Sequence, residues 1–359
     1  MVNKNGARPL RDPGLRNILD DLRKRMLDGR LPAASRLPSV RELASTYGVA
    51  TTTIHRCLQE LAAAGFISTH GWNGTRVADH PPHRFHFAMM LPELPGDDGI
   101  YAQRHLQAKA LAARAISGKG PQRVEIFHGV DGHRELPEHQ RLLAALDERR
   151  LAGLIMFDEA RVREWLIPAT LGIPVIGAGL VAGNPAVGEL FLDLSTFIAD
   201  ALEMIAQRKL HRVAVLLDVT NMVYIPNMLA HAKALQLDLP FERIQCLPTR
   251  APAWAYHALA ALLRAPAPQR PEALIITDEG VIPAVQEALA ALKADDIFQI
   301  HIANLPLPSL SRPPAMRIGW DHGQFLRRAI ELIDAWHEHQ RPIGINRLAL
   351  TQSADMPSL

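Results

Sequence analysis

The first helix of the chain is predicted from apolar residues that recur every three or four positions. They are Leu15, Ile18, Leu19, Leu22, Met26 and Leu27. Charged residues such as Asp20 and Lys24 fall on the opposite face, and Gly29 follows the last turn as a helix terminator. The pattern predicts an amphipathic helix with one buried face.

A second helix is predicted from its capping residues. Ser39 stands three residues before Glu42, the spacing of a capping box, so we expect a helix over Val40–Tyr47. Gly48 then supplies the left-handed backbone of a tight turn. A third helix is expected over 51–64, with Ile54, Leu58 and Leu61 facing inward. Helix, tight turn and helix form the unit that places its second member in a DNA major groove.

The residues after the third helix predict a β-hairpin. Residues 66–68 and 75–78 are expected to form two short strands, joined by the glycine-rich turn 70–74. A hairpin in this position is a wing. Residues 1–80 are therefore predicted to form a winged helix-turn-helix, which is an α+β domain.

In their order and spacing these segments resemble the DNA-binding domain of the GntR family. The resemblance covers nearly all of residues 10–80 and rests on Leu37-Pro38-Ser39-Val40-Arg41-Glu42-Leu43-Ala44, Gly48-Val49, Thr52-Thr53-Ile54, Leu58-Gln59-Glu60-Leu61, Gly65-Phe66-Ile67 and Gly74-Thr75-Arg76-Val77. It implies DNA contacts from Arg41, from the start of the third helix and from the wing glycine. The implied residues of the third helix and wing are Thr51, Thr52, Thr53, His55 and Gly74.

The chain departs from the family at the start of the third helix. Family members frequently carry arginine at the positions of Thr51 and His55, where an arginine reads guanine or holds a phosphate. A threonine offers only a hydroxyl and a methyl group, and a histidine only a single ring. We therefore expect an operator unlike the commonest family sites, with Arg56 reaching a phosphate instead.

Three of these assignments have structural alternatives. Arg41 is also placed to pair with Glu42 or Glu60 on the helix surface. One of the threonines at 51–53 is expected to cap the third helix, which is compatible with a phosphate contact. Trp72 either packs within the wing or contacts DNA.

From residue 83 onward, apolar strands alternate with helices. The predicted strands are 85–91, 123–127, 153–157, 175–177, 190–192, 213–217, 244–247, 273–277, 299–302 and 316–319. The predicted helices are 103–117, 138–150, 195–207, 225–236, 256–264, 282–292 and 323–337. Strands of near-continuous apolar character separated by helices predict parallel sheets covered on both faces, which is an α/β fold.

The order of these elements resembles the effector domain of the LacI/GalR regulators, which has the periplasmic-binding-protein fold of two α/β lobes. The matching stretches are Asp193 with the helix containing Leu202, Lys209-Leu210-His211-Arg212-Val213-Ala214-Val215-Leu216, Pro271-Glu272-Ala273-Leu274-Ile275-Ile276-Thr277-Asp278 and Arg328-Ala329-Ile330-Glu331-Leu332-Ile333. A GntR-type head on a LacI-type body is the layout of arabinose-responsive repressors. The resemblance implies a ligand site between two lobes.

Ligands of open α/β sheets bind beyond the carboxyl ends of the strands. The candidate ligand-binding residues follow predicted strands in this way, and they are Glu93, Asp158, Tyr224, Asp278, Asn304, Trp320 and Asp321. Carboxylates, amides and an aromatic ring suit a hydroxylated ligand such as a sugar. Asp278 and Asp321 are equally placed to cap the helices that follow them. The arginine that sugar-responsive relatives carry near the start of the helix at 225–236 is missing here.

Charge is distributed unequally on either side of Pro81 and Pro82. Residues 1–80 hold 12 Lys and Arg against 7 Asp and Glu, whereas the remainder holds 27 against 30. A basic head on a mildly acidic body is typical of a polyanion-binding module fused to another domain. The expected division is a DNA-binding head over 1–80, a linker over 81–84 and a ligand-binding and dimerisation body over 85–359.

Nothing in the sequence indicates a cofactor, a metal site or a disulfide. Cys57 and Cys246 stand far apart in no metal-binding spacing, and Cys57 is expected to be an inert core residue. No apolar stretch is long enough to span a membrane and no signal peptide is evident, so we expect a cytoplasmic protein. Nucleophile-elbow, Walker and metalloprotease motifs are missing, so no enzymatic activity is expected.

These expectations describe a regulator that binds double-stranded operator DNA as a homodimer and responds to a small-molecule effector. A sugar is the favoured effector, and repression relieved by an inducer is the favoured sign. Two alternatives stay open. The head is fused either to an enzyme-like body or to a body that acts through protein contacts without a ligand.

Overall fold

The computed structural model describes residues 13–69, 74–91, 100–130, 136–156, 172–177, 187–192, 194–248, 252–305, 307–311, 315–339 and 342–352. The N-terminal part, which we call the head, contains α1 (Pro13–Leu27), α2 (Val40–Tyr47), α3 (Thr51–Ala63), β1 (Ile67–Thr69) and β2 (Thr75–Val77). The two strands pair antiparallel. The head therefore has the winged helix-turn-helix arrangement expected from the sequence.

The apolar face of each head helix packs into one core. That core includes Leu19, Leu43, Ile54 and Phe66, all at most 1% exposed. Cys57 lies in it as expected, fully buried, with its thiol directed at the carbonyl of Leu15 at 3.9 Å. The head thus has an independent hydrophobic core of its own, formed by the residues whose spacing predicted the helices.

The body consists of two α/β lobes. Its strands are β3 (His86–Leu91), β4 (Arg123–His128), β5 (Gly153–Met156), β6 (Val175–Gly177), β7 (Val187–Leu192), β8 (Val213–Asp218), β9 (Ile244–Leu247), β10 (Ala273–Ile276), β11 (Phe298–Leu305), β12 (Met316–Asp321), β13 (Gly344–Leu348) and β14 (Thr351–Gln352). Its α-helices are α4 (Pro82–Phe85), α5 (Ile100–Ser117), α6 (Pro137–Asp147), α7 (Leu194–Gln207), α8 (Ile225–Ala234), α9 (Pro252–Leu263), α10 (Ile282–Ala291) and α11 (His322–His339).

Each lobe is built on a six-stranded sheet. The sheet of the first lobe, the N-lobe, has the order β13-β7-β6-β5-β3-β4, and the sheet of the second, the C-lobe, has the order β14-β12-β11-β10-β8-β9. All described pairings are parallel except that of β14 with β12. The expected α/β fold of parallel sheets in two lobes is confirmed.

The chain passes between the lobes three times. It leaves the N-lobe after β7 to enter α7, returns after β12 through α11, and crosses again between β13 and β14. The residues of α7 pack in the core of the C-lobe, whereas Phe325 and Ile330 of α11 pack in the core of the N-lobe. Asp321, the last residue of β12, is therefore where the crossing from the C-lobe to the N-lobe begins.

The helices α6, α8 and α10 end earlier than their apolar pattern indicated, whereas α7 ends at Gln207 as expected. The ends of all four helices are followed by left-handed residues that are not glycine, namely Arg149 (φ 53°), Lys209 (φ 57°), Gln236 (φ 58°) and Lys293 (φ 52°). After each, an amide bonds to a carbonyl in the last helical turn, as in Leu237 N to Ala232 O at 2.9 Å. Because no glycine marks these positions, the sequence carried no signal for them.

Three short elements were missed by the sequence analysis. The helix α4 overlaps the linker expected over 81–84 and includes Phe85, the first residue of the strand expected over 85–91, while β13 and β14 lie beyond the last predicted helix. In β13, half-buried and exposed residues alternate, which is typical of an edge strand and unlike the continuous apolar runs used to predict the others. In the part of the chain that the structure describes, no helix is long and apolar enough to cross a membrane.

Candidate DNA-binding surface and interlobe site

The position of α3 is fixed by the turn before it. Gly48 adopts φ 66° and ψ 34°, and the capping box of α2 is formed as predicted, with Glu42 Oε2 accepting from Ser39 N at 2.7 Å. The expectation that a threonine caps α3 is wrong. The N-cap residue is Ala50, with extended backbone angles and no side-chain cap, so the threonines begin one residue inside the helix.

The polar residues at the start of α3 face away from the core of the head. Thr51, Thr52, His55 and Arg56 are exposed and Thr53 is half-buried. Because none of the three threonines serves as a cap, their hydroxyls stay available to an external partner.

Arg41, in the first turn of α2, is exposed. Within the described residues it has no ion pair with Glu42, whose carboxylate is committed to the capping box, and none with Glu60. The structural alternative for Arg41 therefore has no support in the geometry. An exposed guanidinium without a protein partner suits a phosphate or a base edge.

The wing is attached to the head by backbone pairing. Leu37 N donates to Thr75 O and Val77 N donates to Ser35 O, each at 2.9 Å. Gly74 at its base has φ 79°, and a Cβ built there would lie 3.2 Å from Nε of Arg36. Arg36 is thus an exposed cation beside the wing glycine that sequence reasoning missed, although its neighbour Leu37 belonged to a matched stretch. Trp72 lies outside the described residues.

In the body, the structure brings four of the seven candidate ligand residues to one edge of the C-lobe sheet. Asp278 follows β10, and Asn304 is paired in register with Trp320 on neighbouring strands. Asp321 ends β12 beside Leu305. Tyr224 lies elsewhere, packed between α7 and α8 in a small cavity with Ser195 and His231. Glu93 and Asp158 lie outside the described residues.

Both carboxylates favoured as ligand contacts act as caps. Asp278 Oδ1 accepts from Gly280 N at 2.7 Å, and Asp321 Oδ1 accepts from Gly323 N at 2.7 Å. Burial raises the pKa of Asp278 to about 6, against the hydrogen bond from Gly280, which lowers it. Each cap uses one carboxylate oxygen, so capping does not exclude a ligand contact through the other.

Asn304 belongs to a buried polar network that the sequence did not predict. Its Nδ2 donates to Glu279 Oε2 at 2.8 Å, and its Oδ1 lies 2.9 Å from His322 Nε2. Glu279 also pairs with Arg317 at 3.6 Å, and these two side chains are only 1% and 3% exposed. Arg317 Nη2 donates in addition to Leu307 O at 2.6 Å. We call the four polar side chains the edge network; they are Glu279, Asn304, Arg317 and His322.

The edge network faces the other lobe through α5. This helix of the N-lobe packs against residues 279–281 and β11, and its Lys109 is 3% exposed. Desolvation lowers the pKa of His322 to about 3, and the charge of Lys109 contributes in the same direction. The sequence analysis noted a missing cationic anchor near residue 225. The structure instead brings buried cations to this edge from β12 and α5, which no local pattern could reveal.

Trp320 stands beside Asn304 at this edge, where its half-buried side chain packs against the C-lobe core. Its buried Nε1 has no hydrogen-bond partner among the described residues. A buried indole N–H without an acceptor is uncommon in folded proteins.

Comparison with known proteins matches the two parts of the chain separately. Residues 15–77 match the model of the bacterial regulatory proteins of the gntR family. The HTH-type transcriptional regulator Rv1152 of Mycobacterium tuberculosis is 39% identical over 69 residues, which are 18% of this chain and 57% of that protein. The match thus spans little more than half of that relative's length, and the expected GntR resemblance of the head is confirmed.

Among solved structures, a regulatory protein of the LacI family from Chloroflexus aggregans superposes with a TM-score of 0.56 at 15% identity, covering 75% of this chain and 96% of that one. A LacI family transcriptional regulator from Lactobacillus casei with bound glucose gives 0.51 at 16% identity, covering 75% and 98%. At such identities the likeness concerns the fold. The expected LacI-like, periplasmic-binding-protein-like fold of the body is confirmed.

Proposed function

We propose that this chain, a gntR-type head on a LacI-like body, is a transcriptional regulator that binds operator DNA under the control of a small-molecule effector. The observation that carries the proposal is the head. Its α3 presents exposed polar residues, and Arg41 beside them is exposed and has no ion pair with another described residue, within a domain of a DNA-binding family. The proposed protein acts in the cytoplasm and has no enzymatic activity.

In this mechanism α3 lies in the major groove and the wing reaches the neighbouring minor groove. Arg41 and Arg56 hold phosphates or a base edge, while Thr51, Thr52 and His55 contact the groove. Gly74 lets the wing backbone approach closely, and Arg36 beside it adds a phosphate contact. With threonine at the position of a common family arginine, the head does not rely on guanine readout at that point.

The test is binding of full-length protein to DNA selected from a random-sequence pool, measured by fluorescence anisotropy. We expect Arg41→Ala to weaken binding by about ten-fold or more, because each good arginine contact contributes roughly 1–3 kcal/mol. Arg114→Ala, an exposed arginine on α5 of the body, is the matched control. Unchanged binding by Arg41→Ala, or equal weakening by the control, would contradict the assignment.

The effector is proposed to bind at the carboxyl edge of the C-lobe sheet, between the lobes. Asp278 keeps one carboxylate oxygen for ligand hydroxyls, and the second oxygen of Asp321 lies 3.9 Å from Arg327 Nη2, which places a cation beside it. Trp320 offers an indole N–H that has no acceptor among the described residues. The favoured class is a sugar, because these groups suit hydroxyls and a related fold holds glucose. Tyr224 belongs to a separate cavity and is left out of this site.

Control of DNA binding follows from the three crossings. A ligand that closes the lobes of a homodimer changes the spacing of its two heads, with a coupling of roughly 1 to 3 kcal/mol. Repression relieved by the ligand is the proposed sign. A thermal-shift screen of the full chain against monosaccharides tests the ligand class. Stabilisation that is lost in Asp321→Asn supports it, and no shift with any sugar contradicts it.

One observation favours a second candidate, a body that responds to no ligand. The edge network already satisfies Asn304, Glu279 and Arg317 at the position where an effector would bind. Such a protein would bind DNA with an affinity that no small molecule alters. The same sugar screen, read out as anisotropy on DNA, separates the two candidates.

A further inference from the structure

A second cavity lies where the head meets the N-lobe. Its volume is about 560 Å³, within the range of small-molecule sites. The walls come from Leu27 at the end of α1, from His83 and Arg84 in α4, from the end of α6 and from Trp336 in α11. We call it the junction cavity, and none of its described lining residues belongs to the interlobe edge.

The charged lining of the junction cavity is mainly basic. Arg84 and Arg149 both line it, and neither forms an ion pair or side-chain hydrogen bond with another described residue. Asp147 is the one acidic residue among the described lining. Asp334 interacts electrostatically with Arg84, and burial raises the pKa of Asp334 to about 6, so at neutral pH its carboxylate offsets part of the charge of Arg84. Two guanidinium groups that form no ion pair with a described residue favour an anionic guest.

His83 adds a buried aromatic ring to the same wall. It is 8% exposed, its ring stacks on Phe66 of the head at 5.8 Å, and its buried Nδ1 has no hydrogen-bond partner among the described residues. Burial lowers its pKa to about 4, so the ring is neutral at physiological pH and adds no positive charge to the cavity.

The rest of the wall is apolar and flat. Trp336 is half-buried and stands edge-on to His337, with ring centroids 5.2 Å apart. Leu27, Leu146 and Ile173 complete this side. His337 itself is held by Ala152 O at 2.7 Å, which fixes the neighbouring indole. An indole together with aliphatic side chains suits a planar apolar body.

We propose that the junction cavity binds a small organic acid, in which a carboxylate is carried on a flat apolar body. The carboxylate lies between Arg84 and Arg149, and the flat body lies between Trp336 and the aliphatic side chains. Asp147 at the rim disfavours a second negative charge, so the guest is a monoanion.

Such a guest touches both parts of the protein. Leu27 belongs to the head, Arg84 to the short helix that follows it, and Trp336 to the N-lobe. A bound acid therefore fixes the orientation of the head on the body. An effect of the acid on operator affinity rests on the proposed DNA-binding function. Binding of the acid itself does not.

The test is isothermal titration of the full-length protein with benzoate and indole-3-acetate, and with benzamide and indole-3-acetamide as neutral analogues. We expect one site for a carboxylate probe and at least ten-fold weaker binding of its amide, because the ionic hydrogen bonds are lost. Arg84→Gln and Arg149→Gln should each weaken the acid by about ten-fold, and Asp147→Asn should strengthen it by a few-fold. Arg264→Gln, an exposed arginine of the C-lobe, is the control.

Binding that both arginine variants leave unchanged, equal affinity for acid and amide, or no binding of either acid overturns the proposal. Arg149 is exposed, so its variant keeps the test valid if Arg84→Gln does not fold. Anisotropy on selected DNA is recorded for every variant. Absent acid binding with intact DNA binding overturns this inference alone, and intact acid binding without any DNA binding contradicts the proposed function alone.

Discussion

At the scale of single residues, the body contains an acidic group at a position where burial disfavours its charged form. Burial raises the pKa of the Asp278 carboxyl group to about 6, and an asparagine at this position would cap the turn equally well. A carboxylate that lowers the stability of the folded protein is a better indication of a functional position than its place after a strand is.

At pH 7.5 we expect Asp278→Asn to raise the free energy of unfolding by about 1–3 kcal/mol, and with it the melting temperature. Near pH 4 we expect no change in the melting temperature. The folded-state pKa is raised, so the stability linked to this group is present below the ordinary pKa and is lost as pH rises through about 6. Melting curves across that range check the prediction. The half-exposed cap Asp321, changed to Asn, is the control, and equal stabilisation at both pH values would contradict the argument.

Asn304 shows the opposite situation, a neutral residue whose partners are charged or buried. We expect Asn304→Ala to destabilise the protein by roughly 2–4 kcal/mol, because it removes the hydrogen bonds of Asn304 to Glu279 and His322 in a buried site. Asn346→Ala, a half-buried asparagine that bonds Ile343 O and Arg328 among the described residues, is the comparison. The free energy of unfolding is measured by chemical denaturation. A similar decrease in both variants would show that the edge network stabilises the protein no more than an ordinary half-buried asparagine does.

At the scale of elements, the sequence predicted best where local chemistry decides the structure. The bounds of α2 follow from Ser39, Glu42 and Gly48, and the structure reproduces them. The ends of α6 and α8 are set by left-handed Arg149 and Gln236, which sequence patterns do not mark. Four of the candidate ligand residues share one sheet edge because strand ends are predictable, whereas the buried cations at that edge arrive through tertiary packing.

The turn between α2 and α3 gives a test at this scale. Gly48→Ala should destabilise the head by about 1–2 kcal/mol, because its φ of 66° is unfavourable for any residue with a Cβ. Nothing lies within 4 Å of the added Cβ, so strain alone accounts for the loss. Gly120→Ala, with equally open space and no left-handed angle, should cost much less. Melting of the two variants by circular dichroism makes the comparison.

At the scale of the whole molecule, buried histidines occur both within one lobe and where the parts of the chain meet. His83 stacks on Phe66 of the head, His301 lies within the C-lobe and His322 lies at a crossing, and burial lowers their pKa values to about 4, about 3 and about 3. Each is neutral in the folded protein, whereas the unfolded chain takes up protons below about 6.5. These groups therefore favour unfolding as pH falls from about 6.5 toward 4.

Because Asp278 and Asp334 act in the opposite direction below about 6, the balance is best read from variants. His322→Gln should reduce the fall in melting temperature between pH 7.5 and 5, since one site of proton uptake on unfolding is removed. Its Nε2 contact to Asn304 can be kept by the glutamine amide. His257→Gln, an exposed histidine on α9, is the control, and identical pH profiles for both variants would contradict the account.

The return of the chain through α11 has a consequence for biosynthesis. Gly153 in β5 is so close to this helix that an added Cβ would lie 2.8 Å from Ile333 Cδ1, and Phe325 and Ile330 fill the N-lobe core. During translation the N-lobe, whose first strand is made early, is thus covered only after strands β8–β12 of the C-lobe have been made, because α11 follows them in the chain. A premature stop after residue 321 would release a polypeptide whose head is whole but whose first lobe exposes an apolar face, a product suited to aggregation or degradation.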